Sequence, residues 1–367
     1  MTKYTYIAFV LILILVVLLL IRCNLNSDKM NWKVIKTKGT GNTTDSTGID
    51  DVLKKLYFIN EKVGFFGGDN SDLVFLKIMD WRKTERIKEA ILFKTSDGGS
   101  FWKKQIPFDK GEVLCFQYID STLFALTQSY YGEKADSVRS HIYTSIDNGD
   151  NWKLSGTTEF NLREIKFWTK NNGIATSDEL PYNNCKEAIY ETKDGGKTWI
   201  ELNNLPAKVS GSYELSKNGI VYYLPQPLGN YIGYNLATRE TTTYQIPSNI
   251  HPFSLYLDNR DNLYLITEEE KEGMLIYLKE KENYLPIKYP TKGLYVIKSN
   301  IFESCISVFA EEQGNLSQKI RFFRSEDLGN SWNEENLPIS YKASPIAFFG
   351  KDKVWAWSLA DQLQVRE

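Results

Sequence analysis

The chain has 367 residues, of which 44 are lysine or arginine and 46 aspartate or glutamate, giving a net charge of −2 at pH 7. That balance lacks the basic excess of a nucleic-acid-binding protein, so no nucleic-acid partner is expected. Aromatic residues make up 14% of the chain, which suits β-sheet, and the cysteines are spaced too widely for a zinc motif.

The first element is apolar without a break from Tyr6 to Ile21, with Lys3 before it and Arg22 after it. As a helix rising about 1.5 Å per residue it would reach roughly 24 Å, short of a full bilayer core but spannable with snorkelling flanks. A cleaved secretory signal is the rival reading, yet no small-x-small cleavage site follows. Cys23 invites a lipid anchor, although Arg22 stands where such signals place a small residue. The expectation is therefore a signal-anchor in residues 1–22 crossing the membrane through residues 6–21, a tether over 23–31, and a folded domain over 32–367. Arg22, Lys29, Lys33, Lys36 and Lys38 follow the segment, which by charge bias favours a cytoplasmic domain. Large domains translocate largely regardless of that bias, and the expectation kept is an extracytoplasmic one.

Next comes Trp32-Lys33-Val34-Ile35-Lys36, a strand with no neighbour in sequence, and then a long Gly/Thr/Ser/Asp-rich loop over 39–51. Leu56-Tyr57-Phe58-Ile59, Asn60-Glu61-Lys62 and Val63-Gly64-Phe65-Phe66 read as strand, turn and strand, followed by a long excursion from Asp69 to Glu89. Ile91-Leu92-Phe93 then leads into an octapeptide, Ser/Thr-x-Asp-x-Gly-x-x-Trp, that occurs four times. The copies are Thr95, Asp97, Gly99 and Trp102; Ser145, Asp147, Gly149 and Trp152; Thr192, Asp194, Gly196 and Trp199; and Ser325, Asp327, Gly329 and Trp332. Each follows an apolar strand. Hydroxyl and carboxylate can bond turn amides, glycine supplies a positive φ, and tryptophan can fill a seam between sheets. Every position therefore has a structural job, and no metal or catalytic role is assigned to the aspartates.

The first three aspartates recur at nearly constant spacing, and the last gap is about three periods of roughly 45 residues. Two repeats without the octapeptide are expected inside it, at Tyr231–Asn235 through Thr243–Ile246 and at Met274–Leu278 through Tyr284–Ile287, with Tyr244 and Tyr284 standing for tryptophan. Each repeat also opens with a strand pair, as in Ile165–Trp168 with Gly173–Ala175 and Tyr213–Leu215 with Gly219–Tyr223. Four strands per period of 40 to 50 residues is the signature of a propeller blade. Ile346–Phe349, Val354–Trp357 and Leu363–Val365 form three strands of a last blade, whose fourth would be the strand at Trp32.

The octapeptide resembles the Asp-box, or BNR repeat, of sialidase-like β-propellers. The resemblance and the spacing together imply an all-β, seven-bladed propeller with a three-plus-one last blade. By the same resemblance, ligands would bind on the face opposite the octapeptide turns. That face should carry Trp81, Arg82, Arg86, Tyr130, Tyr131, Glu133, Arg139 and Tyr182, residue types that supply binding energy at interfaces. Glu268-Glu269-Glu270 reads as a solvated loop. Cys115 and Cys305 are placed on first strands of different blades as buried free thiols, and neither His141 nor His251 sits in a catalytic or metal pattern.

Three functions stay open. One is a membrane-anchored, non-enzymatic module that binds a protein or a glycan, similar to propellers that help assemble membrane complexes such as photosystem II. Another is a sialidase-like glycoside hydrolase, which would need three substrate-binding arginines. The early Phe/Tyr-Arg-Ile/Leu-Pro motif that supplies the first is absent, and Arg82, Arg86, Arg139 and Arg163 form no triad by context. The third is a toxin-neutralising or cell-surface partner-binding protein. No cofactor is expected.

Overall fold

The computed structural model describes residues 32–39, 55–69, 90–108, 111–131, 137–177, 188–203, 205, 209–225, 229–269, 273–280, 283–312, 319–340, 344–358 and 362–366. The apolar segment 6–21 lies outside them, and among the described residues no helix is long and apolar enough to cross a membrane.

Alternating patterns separated by turns build seven sheets, each a blade with an antiparallel set of four strands, consecutive in six of them and completed by the first strand in the last. Blade 1 holds Lys55–Phe58, Gly64–Asp69, Ala90–Thr95 and Phe101–Gln105. Blade 2 holds Glu112–Ile119, Thr122–Tyr131, Ser137–Ser145 and Lys153–Thr158, and blade 3 holds Leu162–Phe167, Gly173–Ser177, Ala188–Thr192 and Ile200–Glu201. Blade 4 runs through Val209–Leu215, Ile220–Pro225, Asn230–Asn235 and Thr241–Gln245, and blade 5 through Ser254–Leu257, Leu263–Glu269, Gly273–Glu280 and Asn283–Lys288. Blade 6 comprises Leu294–Phe302, Cys305–Glu312, Ile320–Ser325 and Asn333–Glu335. The last sheet combines Ile346–Phe349, Lys353–Ser358 and Gln362–Arg366 with Trp32–Lys36, which pairs antiparallel from Trp32↔Arg366 to Lys36↔Gln362.

Seven apolar clusters hold the sheets together, each shared by two adjacent blades. Between the last sheet and blade 1, Phe58 stacks on Trp355 at 3.7 Å and Phe66 meets Trp357 edge-on at 4.8 Å. The octapeptide tryptophans fill these seams. Trp102 is fully buried against Phe58 and Phe66, and Trp332 meets Tyr289 at 5.4 Å. Burying such a ring contributes roughly 5 kcal/mol at about 25 cal/mol per Å², an upper bound because the unfolded chain is partly collapsed. Each octapeptide glycine has a positive φ and backs onto the preceding blade, as Gly149 does on Phe65 and Gly196 on Ile142. A Cβ there would meet both a strained backbone and a packed seam.

Several expectations need correction. Cys305 opens the second strand of blade 6, because the first strand extends to Phe302, although it is buried and free as expected. Glu268 and Glu269 pair with Met274 and Gly273 inside blade 5 instead of forming a loop. Lys38–Gly39 adds a parallel strand to the outer edge of blade 1. Tyr244 does not take the tryptophan place in blade 4. It packs toward blade 5, while Leu236, whose amide bonds Gly219 O, occupies the seam with blade 3.

Candidate functional site

The four octapeptide turns share one hydrogen-bond scheme. Thr95, Ser145, Thr192 and Ser325 each donate to the aspartate two residues on, at 2.7–2.9 Å, and accept from the glycine amide four residues on, at 2.7–3.0 Å. One carboxylate oxygen accepts the amide of Phe101, Asn151, Thr198 or Ser331. In three copies the other accepts Asn151 Nδ2, Thr198 Oγ1 or Ser331 Oγ. The bonds from Asn151 and Ser145 hold Asp147 far below the usual carboxylate range. Asp194 is also lowered: partial burial opposes the shift and the bonds from Thr198 and Thr192 outweigh it. These carboxylates are committed to holding turns.

The seams change where the octapeptide is missing. Blades 4 and 5 both lack it, and a groove opens at the seam each makes with the blade before it. Between blades 3 and 4 the groove holds about 440 Å³, and the Glu191–Arg239 ion pair at 2.6 Å crosses it, with Tyr234 and Ile200 beside it. Between blades 4 and 5 it holds about 560 Å³ and is walled by Tyr222, Tyr231, Tyr244 and Tyr284. Tyr231 and Tyr244 stack at 4.6 Å with an interplanar angle of 11°. Lys279 Nζ lies 4.1 Å from the Tyr244 ring centroid and 5.1 Å from that of Tyr231. Tyr284 donates to Gln245 O at 2.9 Å across the seam. Rings with polar tips beside one ammonium make a surface suited to protein recognition.

At the inner rim, side chains of the first strands reach the next blade's backbone. Gln117 both donates to and accepts from Phe167, Tyr57 accepts the Tyr118 amide, and Tyr256 donates to Ile301 O. Lys166 donates to Tyr213 O at 3.0 Å and pairs with Glu214 at 3.0 Å.

The residues proposed for the opposite face are only partly described. Trp81, Arg82, Arg86, Glu133 and Tyr182 lie outside the described residues. Tyr130 and Tyr131 end the second strand of blade 2, paired with Val138 and Ser137, which places them at the hairpin on that face. Arg139, on the third strand of the same hairpin, is exposed and lies 3.9 Å from Glu159. The hairpin register also brings Ser129 Oγ within 2.8 Å of His141 Nε2, a pair not foreseen from sequence. His141 Nδ1 meets Thr157 Oγ1 at 3.0 Å where a catalytic triad would have a carboxylate. Both partners are buried, so the pair ties strands together.

These sheets and seams define a seven-bladed β-propeller. No protein-family model matches the chain, and no curated protein matches it in sequence. Among solved structures it is similar to YCF48 bound to a D1 peptide, with TM-score 0.56 and 15% identity over 92% of this chain and 96% of that one. YCF48 from Cyanidioschyzon merolae gives TM-score 0.56 and 13% identity over 92% and 98%. Virginiamycin B lyase from Staphylococcus aureus gives TM-score 0.52 and 14% identity over 91% and 98%. At these identities the likeness is one of fold.

Proposed function

We propose that the chain is a membrane-anchored, non-enzymatic propeller that binds a protein partner and supports its assembly. The observation that carries this reading is the tyrosine groove between blades 4 and 5, which opens where the repeat loses its octapeptide. The fold shared with YCF48, one structure of which holds a D1 peptide, supports a protein ligand. The turns belong to the Asp-box class on the strength of their sequence and hydrogen-bond scheme. The ring is fastened by the pairing of Trp32–Lys36 with Gln362–Arg366, and the apolar segment 6–21 anchors it with the propeller outside the cytoplasm. A second contact region is formed by the opposite face around Tyr130, Tyr131 and Arg139.

A photo-crosslinking residue in place of exposed Thr243, which lines the groove, tests the reading in intact membranes. One stoichiometric adduct is expected there and none from Lys153, exposed outside the groove. No adduct at Thr243 would remove the groove from the account. Turnover of a fluorogenic sialoside by the full chain would replace the whole reading with a hydrolase.

A further inference from the structure

The outer edge of a blade already takes an extra strand in this chain. On blade 1, Lys38–Gly39 runs parallel to the outer strand, Lys38 beside Phe101 and Gly39 beside Trp102. Five of the other outer strands are built to refuse one. That of blade 2 opens on Lys153 and carries a bulge between Leu154 and Gly156, and that of blade 3 is two residues long. Pro286 and Lys288 interrupt the edge of blade 5, Glu334 and Glu335 that of blade 6, and Lys33 and Lys36 that of the last sheet. Charges, proline, bulges and short strands are the ordinary means of keeping a sheet edge from pairing. The outer strand of blade 4, Thr241–Gln245, has none of them. It is uncharged, keeps one register over its whole length, and is exposed at every residue except half-buried Tyr244. Thr243, Tyr244 and Gln245 also line the tyrosine groove.

The direction of its backbone groups follows from the ladder. Asn235 N–H donates to Glu240 O and Ile246 N–H to Gly229 O. Bonded and non-bonded pairs alternate, so Thr242 and Tyr244 bond inward, and Thr241, Thr243 and Gln245 turn their amides and carbonyls outward. The Tyr284 hydroxyl reaching Gln245 O from blade 5 agrees with that direction. We propose that an extended segment of the partner protein adds to this edge as a fifth strand. It bonds Thr241 and Thr243, and its alternate, apolar side chains enter the tyrosine groove beside Tyr244. This rests on the protein-binding reading and names the mode in which the groove is used. A helix bonds its own amides and would leave those of the edge unmatched. An antiparallel pair of two copies centred on Thr243 would set Gln245 opposite Thr241, and the Gln245 carbonyl is already taken. A partner strand needs Thr241 and Thr243 alone.

The test uses fluorescein-labelled Ser-Gly-Val-Thr-Tyr-Thr-Val-Gly-Ser and the same peptide N-methylated from valine to valine, titrated by anisotropy into the full chain in detergent. The unmodified peptide should bind at least about ten-fold more tightly, because methylation removes its ladder donors. Its binding should slow hydrogen exchange at the Thr241 and Thr243 amides. Thr243→Pro removes an outward donor and no inward bond, so it should weaken the unmodified peptide at least about ten-fold. Thr243→Val keeps both outward groups and should retain binding. Thermal melts separate lost binding from lost folding, and the two peptides and the exchange decide the matter on the parent chain alone. Equal affinity for the two peptides, unchanged exchange at Thr241 and Thr243, full binding by a folded Thr243→Pro, or no binding of either peptide would overturn the proposal. A dimer of the full chain that dissociates in Thr243→Pro would give the edge to a second copy and overturn it too. Crosslinking at Thr243 can still succeed in any of these cases through contacts to the tyrosine walls, so the two readings fail separately.

Discussion

Burial decides the worth of each octapeptide tryptophan. Trp102 is fully buried between blade 1 and the last sheet, whereas Trp152 is only partly buried and its Nε1 has no hydrogen-bond partner. Trp102→Ala should therefore cost about 3–5 kcal/mol in chemical denaturation and Trp152→Ala clearly less; equal losses would contradict the seam assignment. The turn carboxylates predict acid sensitivity. Asp147, Asp194 and Asp327 are held below their ordinary range, so their contribution is complete above about pH 4. It is lost as pH falls further, through their folded-state values. Removing Asp147 by Asp147→Ala should lower Tm at pH 7, and the gap should shrink as pH falls. Lys298 behaves in the opposite sense. The protein mass packed around it, and secondarily Lys55, lower its amine to about 8 although the residue keeps a solvent-exposed surface, so the folded state binds fewer protons than the unfolded chain between about pH 8 and 10.4. Its charge costs stability below pH 8, and the cost fades across that window. A pH series comparing the parent with Lys298→Met should show the difference converging toward high pH.

Among the elements, the strand at Trp32 matters most. Glu335 on the outer strand of blade 6 accepts Trp32 Nε1 at 3.0 Å and holds Arg366 through bonds of 2.9 Å from Nε and from one terminal guanidinium nitrogen. Both ends of the described chain thus converge on one buried carboxylate. Replacing only one partner of a buried pair weakens the hold on the other charge, which here keeps Asp352 at 3.7 Å. Glu335→Gln should therefore destabilise the fold by less than the roughly 3–5 kcal/mol of a fully stranded charge, and Glu335→Met with Arg366→Met should recover much of it. The strands themselves were legible because apolar alternation and turn residues recur at a fixed period. The octapeptide turns were legible because each needs the same hydroxyl, carboxylate and glycine. Blades 4 and 5 were located from spacing, but the place of Tyr244 was not. Without glycine and tryptophan at fixed offsets, nothing in the chain says which side of the sheet an aromatic will face.

Across the whole molecule, the octapeptide tryptophans fill the seams of four blades, Trp32 fills that of the last blade, and the two grooves open where blades 4 and 5 have neither. Neither groove could be read from the sequence, since Tyr222, Tyr244, Lys279 and Tyr284 come from two blades. The Ser129–His141 contact likewise depends on hairpin register. One comparison tests the division between scaffold and binding surface most directly: partner recovered from membranes per folded molecule, measured with Tm, for Asp194→Ala in a turn and Thr243→Arg in the tyrosine groove. The account predicts a lowered Tm with unchanged recovery for Asp194→Ala, and an unchanged Tm with lost recovery for Thr243→Arg. The reverse pattern would place the function in the turns and contradict it.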